Sequence, residues 1–414
     1  MKGGAEPSFG TFFSSAPALA GQDIYVLNNT TGTWDKVAEP GTVSMKRGEA
    51  FWVYCKGSST FTGPLAVQPS QSGGLQFGTT LSEQELVVRN DSDATMEVEL
   101  VFSDLNSHLY YWTFSQAQNR AVWEPFPTSL VLSLAARSSQ AVRIGIRRAG
   151  LTAGAPYEAN LSVSQKDQPG MELLVPLGVT GIGYSGLWVG NASITEVNEP
   201  ANAAQPDKPV KTGSEFSFRL IVHVDQVGTA RLLDHVTQMW QEGTWKPDPL
   251  DPGKLVVDDP GYFVLVANDA RIPDYSGSAL LDGRPVGRRI SAPAFPRIPP
   301  DERTLGTLNP TPGSTLSGTI TLAADDPTNP FLHLYHPDHR QASQSRQVVR
   351  DITLTFSDTD AAGNPIPGIF EMTKGSTQLG GIYEETIWGL HKQQLKIRGT
   401  FLLHRVSEVD TLVE

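Results

Sequence analysis

The chain has 414 residues, room for two or three domains at roughly 100–200 residues each. Charged residues are only 18%, below the usual ~25%, and with 39 Gly and 30 Pro this turn-rich composition indicates an all-β protein with long loops. A net charge of −12 with no run of Lys or Arg excludes nucleic-acid binding through a basic stripe and disfavours an anionic membrane surface.

Residues 1–68 read as a small β unit with short strands at 22–27, 33–37, 50–55 and 61–67. Trp34 and Trp52 are expected in its core. The unit is too small to be comfortable alone, so it is expected to lean on its neighbour or to lack an N-terminal half. Its Cys55 is the chain's one cysteine, which excludes a disulfide framework within the chain and a Cys-based zinc site.

A Ser/Gly/Gln linker at 69–74 leads to a second unit, 75–181. Strand patterns return there about every ten residues, as in an immunoglobulin-like β-sandwich. Met96, Val98 and Leu100 alternate with Glu97 and Glu99, and further strands are expected at 86–90, 109–114, 121–126, 130–134, 140–146, 157–163 and 171–179.

The third region, 186–410, is expected to be a larger antiparallel β-sandwich or closed barrel. Its strands are placed at 187–197, 216–224, 229–240, 262–267, 286–291, 316–323, 348–356, 368–373, 381–390 and 395–405. A polar loop is expected at 198–214 and a Pro-rich one at 292–314. The arm 229–240 also fits a helical stripe through Leu232, Leu233, Val236 and Trp240, but the tight turn before it and its β-favouring residues select strand. There is no fixed-period repeat, no membrane-spanning apolar run and no visible signal peptide.

Several stretches resemble parts of uncharacterised multidomain, β-rich secreted proteins of environmental bacteria. They are Gly48-Glu49-Ala50-Phe51-Trp52-Val53-Tyr54-Cys55-Lys56-Gly57 with Gly63-Pro64-Leu65, residues 186–190 and 329–339, and Tyr383-Glu384-Glu385-Thr386-Ile387-Trp388-Gly389-Leu390. Residues 75–181 resemble a bacterial immunoglobulin-like domain, and Gly186-Leu187-Trp188 resembles the Gly-x-Trp of lipocalin-like barrels. The resemblance implies an extracellular or cell-surface location, a longer parent protein with other domains as partners, and no particular activity.

Three of the eight histidines fall within Asn329-Pro330-Phe331-Leu332-His333-Leu334-Tyr335-His336-Pro337-Asp338-His339. Pro337 and Asp338 suit the centre of a type I turn, which would bring His336 and His339 within about 7 Å at Cα. A divalent metal would then need His333, Asp338 or a distant residue such as His391 to complete its shell. The alternative is a rigid loop whose histidines bond to backbone.

Other motifs read as plain structure. Gly181-Ile182-Gly183-Tyr184-Ser185-Gly186 matches G-x-G-x-x-G, but a strand rather than a helix follows, so nothing waits there for a pyrophosphate. Asp358-Thr359-Asp360-Ala361-Ala362-Gly363-Asn364 resembles a calcium loop without its bidentate Glu, and reads as a hairpin tip. Asp248, Asp251, Asp258 and Asp259 read as solvated turn residues. Glu384 and Glu385, adjacent on a strand, must face opposite ways. Tyr110, Tyr111, Trp112, Phe114, Trp123 and Phe126 share one hairpin, with one face in the core and the other offering Trp112 and Trp123 to a glycan or a neighbouring domain.

The expected function is therefore non-enzymatic: a surface or extracellular modular β protein acting by binding or structural display, with a glycan or a cell-surface protein as partner. The alternatives are a metal-binding module or metal-dependent enzyme centred on His333, His336 and His339, and a glycan-binding module using exposed aromatics.

Overall fold

The computed structural model describes residues 6–414 apart from 47, 60, 167, 200–203, 277–278, 330–344 and 391–392. The chain is all-β, its strands almost all antiparallel, and it divides into two compact units, Met1–Ile182 and Gly183–Glu414.

Unit 1 begins with a short helix where no element is expected from the sequence, Phe9–Phe13, capped by the Ser8 hydroxyl accepting from the Thr11 amide. Phe9 and Phe13, four apart, share a helical face and pack edge-on against Phe51 at 5.6 and 5.9 Å. Phe51 lies on one face of a three-stranded sheet, Trp34–Lys36, Ile24–Leu27 and Phe51–Val53. The period-two rule then decides the rest. Ile24 and Val26 join this core, while Tyr25, Trp34 and Trp52 point outward. The expectation that Trp34 and Trp52 are core residues is thus overturned: they are 50% and 51% exposed, because the phenylalanines already fill the inner face.

The rest of unit 1 is a sandwich of two five-stranded sheets. One holds Leu65–Pro69, Glu83–Asn90, Ser139–Ile146, Leu109–Ser115 and Arg120–Pro125. The other holds Leu130–Leu134, Met96–Phe102, Pro156–Gln165, Gln168–Thr180 and Leu75–Gly78. Leu86, Val88, Leu100, Leu109, Ile144, Leu161 and Val163, all fully buried, meet between the sheets. Two buried polar side chains here are well matched. The Asn90 amide donates to the carbonyls of Ala94, Leu134 and Ala135, and the Arg148 guanidinium donates to those of Phe77, Gly78, Leu81 and Thr180.

Unit 2 is built on eight strands, which we number β1 Gly186–Asn198, β2 Pro209–Val224, β3 Thr229–Leu232, β4 Thr304–Thr307, β5 Thr315–Leu322, β6 Val348–Phe356, β7 Gln378–Trp388 and β8 Leu395–Ser407. Their order in the sheet is β4-β3-β2-β1-β8-β7-β6-β5. Apart from β4 and β5, each strand pairs with its neighbour in this series, and the last pairs with the first. The two edge strands β4 and β5 lie side by side, so close that a side chain at Gly318 would meet Leu305. The sheet is an up-and-down barrel with one seam.

Inward positions alternate along every strand: Trp188, Ala192 and Ile194 on β1, Leu220 and Val222 on β2, Ile352 and Leu354 on β6, Phe401 and Leu403 on β8. Phe218 on β2 meets Tyr383 on β7 across the interior at 5.4 Å between ring centroids. At the barrel's first turn the Trp188 indole donates to the Tyr184 carbonyl, and Arg405, opposite Trp188, donates to that of Ser185.

Several expected boundaries shift. The polar loop expected at 198–214 becomes strand from Pro209 onward, where Pro209 to Lys211 extend β2 against β1. The arm 229–240 is strand rather than helix, but it breaks at Leu233 and Asp234 into β3 and a separate strand, His235–Gln241. Residues 368–373 form turns instead of a strand, because the buried Gln378 side chain accepts from the Phe370 amide and donates to the Gly368 carbonyl. The Pro-rich stretch 292–314 contains β4. The insert between β3 and β4 forms a sheet of Arg288–Ser291, His235–Gln241 and Tyr262–Val266, which Leu412–Val413 joins in parallel.

An ionic cluster lies inside the barrel. Arg350 on β6 makes a bidentate pair with Glu385 on β7, and the Tyr383 hydroxyl donates to the same carboxylate at 2.8 Å. The Arg350 guanidinium also donates to the Ala294 carbonyl and lies 4.3 Å from the Phe295 ring, which ties the segment after Ser291 to the barrel interior. Burial, then the Glu385 charge, hold the Tyr383 phenol well above its ordinary pKa, so it stays a donor. Glu385→Ala would leave the Arg350 charge buried and unpaired, and is expected to cost about 3–5 kcal/mol of stability. Arg350→Met combined with Glu385→Leu is expected to cost less than that single change. Urea unfolding of the two variants checks the order.

Candidate functional site

The hairpin Leu109–Ser115 and Arg120–Pro125 places Trp112 directly opposite Trp123. Leu109 and Tyr111 point toward the sandwich core, so alternation turns Trp112 and Phe114 to the outer face. The two indoles meet edge to face at 5.3 Å. Arg143, from the neighbouring strand, lays its guanidinium over both rings at 5.1 and 5.5 Å and pairs with Glu83 at 2.7 Å. Trp112 stays 37% exposed and Phe114 55%. The result is an aromatic surface with a cation in its middle and a carboxylate at its edge, which offers a bound molecule both ring faces and hydrogen-bonding groups. The hairpin aromatics were legible in the sequence; Arg143 was not, because it comes from a strand paired through the sheet.

His333, His336, His339 and Asp338 lie outside the described residues, as does His391. Among the described residues, no three His, Cys, Asp or Glu side chains converge as metal ligands. His235 sits between Asp234 and Asp269, each 3.1 Å from a ring nitrogen. Arg289 holds Asp269, and Arg303 lies 3.6 Å from Asp234. Both imidazole nitrogens face carboxylates that are themselves matched by arginines, so this group is an ion-pair network on the insert.

The other motifs are used up by local structure. Asp360 accepts from the backbone of Ala362 and Asn364 and from the Asn364 amide, which closes the hairpin tip. Asp248 accepts from the Leu250 amide, and Asp258 pairs with Lys246. Glu385 is buried and Glu384 faces outward onto Arg398, opposite ways as adjacent strand residues must. On the outer surface of β1 and β8 lies a cleft of about 610 Å³, lined in part by Ser193, Glu196, Lys211, Asp360 and Arg398. It carries both signs of charge, and Arg398 spans Glu196 and Glu384 beside it.

The fold and these surfaces define an all-β protein of two units, a sandwich-bearing one and an eight-stranded barrel. No protein-family model matches the chain, and no curated protein matches it. Solved structures similar to parts of it include the E. coli chaperone DraB, 12% identical over 39% of this chain and 90% of that one, with a TM-score of 0.20. The periplasmic chaperone SfaE is 9% identical over 62% of this chain and 92% of its own, with a TM-score of 0.21. A PapD-like domain of human CEP192 is 18% identical over 30% and 87%, with a TM-score of 0.17. Likenesses at this level carry nothing about what the chain does.

One buried histidine stands apart from these surfaces. His223 on β2 is fully buried on the outer side of the barrel, with Leu187 and Arg231 as its cross-strand neighbours. Neither ring nitrogen has a well-aligned hydrogen-bond partner, although the Val409 backbone lies beside them. Burial pushes its pKa below the usual value; the Val409 backbone opposes this, Arg231 adds to it, and Asp225 and Asp410 pull the other way. The folded protein thus resists a proton that the unfolded chain accepts near pH ~6.5. The stabilisation is full above that pH and is lost as pH falls through the lowered folded value. Melting curves taken from about pH 7.5 down to about pH 5 should show falling stability, and His223→Leu should flatten part of that slope.

Proposed function

We propose that this chain is a modular β protein that works by binding, outside the cell or on its surface, with a glycan or a cell-surface protein as partner. The observation that carries this reading is the outward aromatic surface around Trp112, Trp123 and Arg143. Contiguous exposed apolar surface is costly to keep on a soluble fold and marks places where another molecule docks. Tryptophan brings a large contact area at low conformational cost, and the Arg143–Glu83 pair adds polar contacts at its edge. The surface sits on a paired five-stranded sheet rather than a loop, so its geometry is held before a partner arrives.

The test is a glycan array, and a pull-down against surface proteins, with the intact chain. Trp112→Ala or Trp123→Ala is expected to weaken the interaction about two- to tenfold, the equivalent of ~0.5–1.5 kcal/mol per aromatic contact. Turnover of any substrate that a single point mutation abolishes would overturn the reading.

A second proposal comes from the sequence. His333, His336 and His339, with Asp338, have the spacing of a turn-borne metal site that prefers imidazole-binding ions. Metal analysis of chelator-free protein is expected to show near one equivalent of Zn²⁺, Cu²⁺ or Ni²⁺ if they bind; less than about half an equivalent ends that proposal.

A further inference from the structure

The three-stranded sheet of unit 1 presents a second aromatic surface, unconnected in sequence with the first. Tyr25, Trp34 and Trp52, one from each strand, line an open cleft of about 440 Å³. We propose that this cleft binds the pyranose rings of an uncharged polysaccharide. The inference rests on the binding reading above and names a ligand class and a separate site for it.

Five observations support the assignment. The lining is wholly aromatic, with no aliphatic side chain among the three residues; ring faces suit the C–H-bearing face of a sugar, whereas a hydrocarbon anchor is met by a mixed apolar pocket. The rings are also spread in the way a chain of sugars requires. Tyr25 and Trp52 lie side by side at 5.6 Å with their planes tilted by 54°, while Trp34 stands on the far side of the central strand. Two strand spacings, on the order of 10 Å, separate the outer two tryptophans, enough for successive rings of one chain to rest on different walls.

The polar groups at hand are neutral in sum. Lys36, opposite Tyr25, pairs with Asp23 at 2.8 Å. This pair supplies hydroxyl-binding donors and acceptors without favouring a charged ligand, and the Lys36 ammonium opposes the quaternary cations that aromatic walls otherwise attract. Finally, the surface is small. Three side chains fall far short of the ~800 Å² per partner of a stable protein interface, yet the volume is within the ~300–1,000 Å³ of small-ligand sites. The cleft is also prepared in advance, since Phe9 and Phe13 brace the opposite side of the same sheet.

The experiment is calorimetric titration of the intact protein with cellohexaose, laminarihexaose, xylohexaose and chitohexaose, with choline as a cationic control. At least one hexasaccharide should bind saturably and choline should not. Trp34→Ala and Trp52→Ala, each with an unchanged circular-dichroism spectrum, should weaken that binding about tenfold or more, while Trp245→Ala, at an exposed position of unit 2, should leave it within about twofold. The proposal is overturned if none of the four sugars binds, if choline takes the site, or if binding survives both substitutions. Should Trp112→Ala abolish sugar binding while Trp52→Ala does not, this site is lost and the broader binding reading stands. A protein partner captured through Trp52 without any sugar affinity also overturns it.

Discussion

The constraint on which unit 2 depends is that the inside of an eight-stranded barrel must be filled. Strand number sets the diameter, and eight strands enclose just enough space for inward side chains to meet. Here Trp188, Tyr383 and Phe401 take up much of that volume, and Phe295 enters from the segment between the insert and β4. Glycines at 190, 381 and 399 let neighbouring strands approach closely, since a side chain at any of these would run into the adjacent backbone, and at 381 into the Phe401 ring as well. Even the charged pair Arg350–Glu385 is spent on fastening the Phe295 segment to the wall. A polar pair so placed adds little net stability over apolar residues of the same shape, but it admits one arrangement of the segment and penalises others.

With the interior so occupied, contact with other molecules falls to outer faces, and the two units differ there. At the end of β1 to β3 around Leu187, Ile221 and His223, the outer side is covered by Val236 and Leu265 of the insert and by the segment at Val409, which is why His223 is buried although it points away from the barrel. Unit 1 covers less. Its small sheet has one face against the phenylalanines and the other in water, and its sandwich leaves the Trp112–Trp123 side open. Both surfaces combine rings with an adjacent ion pair, Asp23–Lys36 in one case and Glu83–Arg143 in the other.

Much of the strand content could be read directly, because half-buried strands alternate visibly. Met96–Phe102, Leu130–Leu134 and Val348–Phe356 fall where their stripes place them. Alternation tells which residues share a face, not which face is inside. Nothing in the local pattern around Trp34 and Trp52 says which face is inner, and the helix that fills the inner face is too short to show a periodic signal. The start of β2 was hidden for the opposite reason: its residues 209–217 are mostly exposed, so they carry no apolar stripe to read. The turns at 368–373 depend on Gln378, whose role as a buried bracket is visible only once the chain is folded. Of the candidate sites, the hairpin tryptophans were recognisable because they are close in sequence. Arg143, and the grouping of Tyr25 with Trp34 and Trp52, required strand pairings that no local pattern announces.

The meeting of β1 with β8 has a consequence for biosynthesis. Residue 187 finds its partner at residue 407, so the ring of strands is completed only when nearly all of unit 2 has left the ribosome. Contacts so distant in sequence make closure slow, and domains fold as units during synthesis, the N-terminal one first. Unit 1 is therefore structured while β1 still waits with an unmatched edge. In that interval the nascent chain offers the kind of strand that invites mispairing, and the stage most in need of protection is the one before residue 407 emerges.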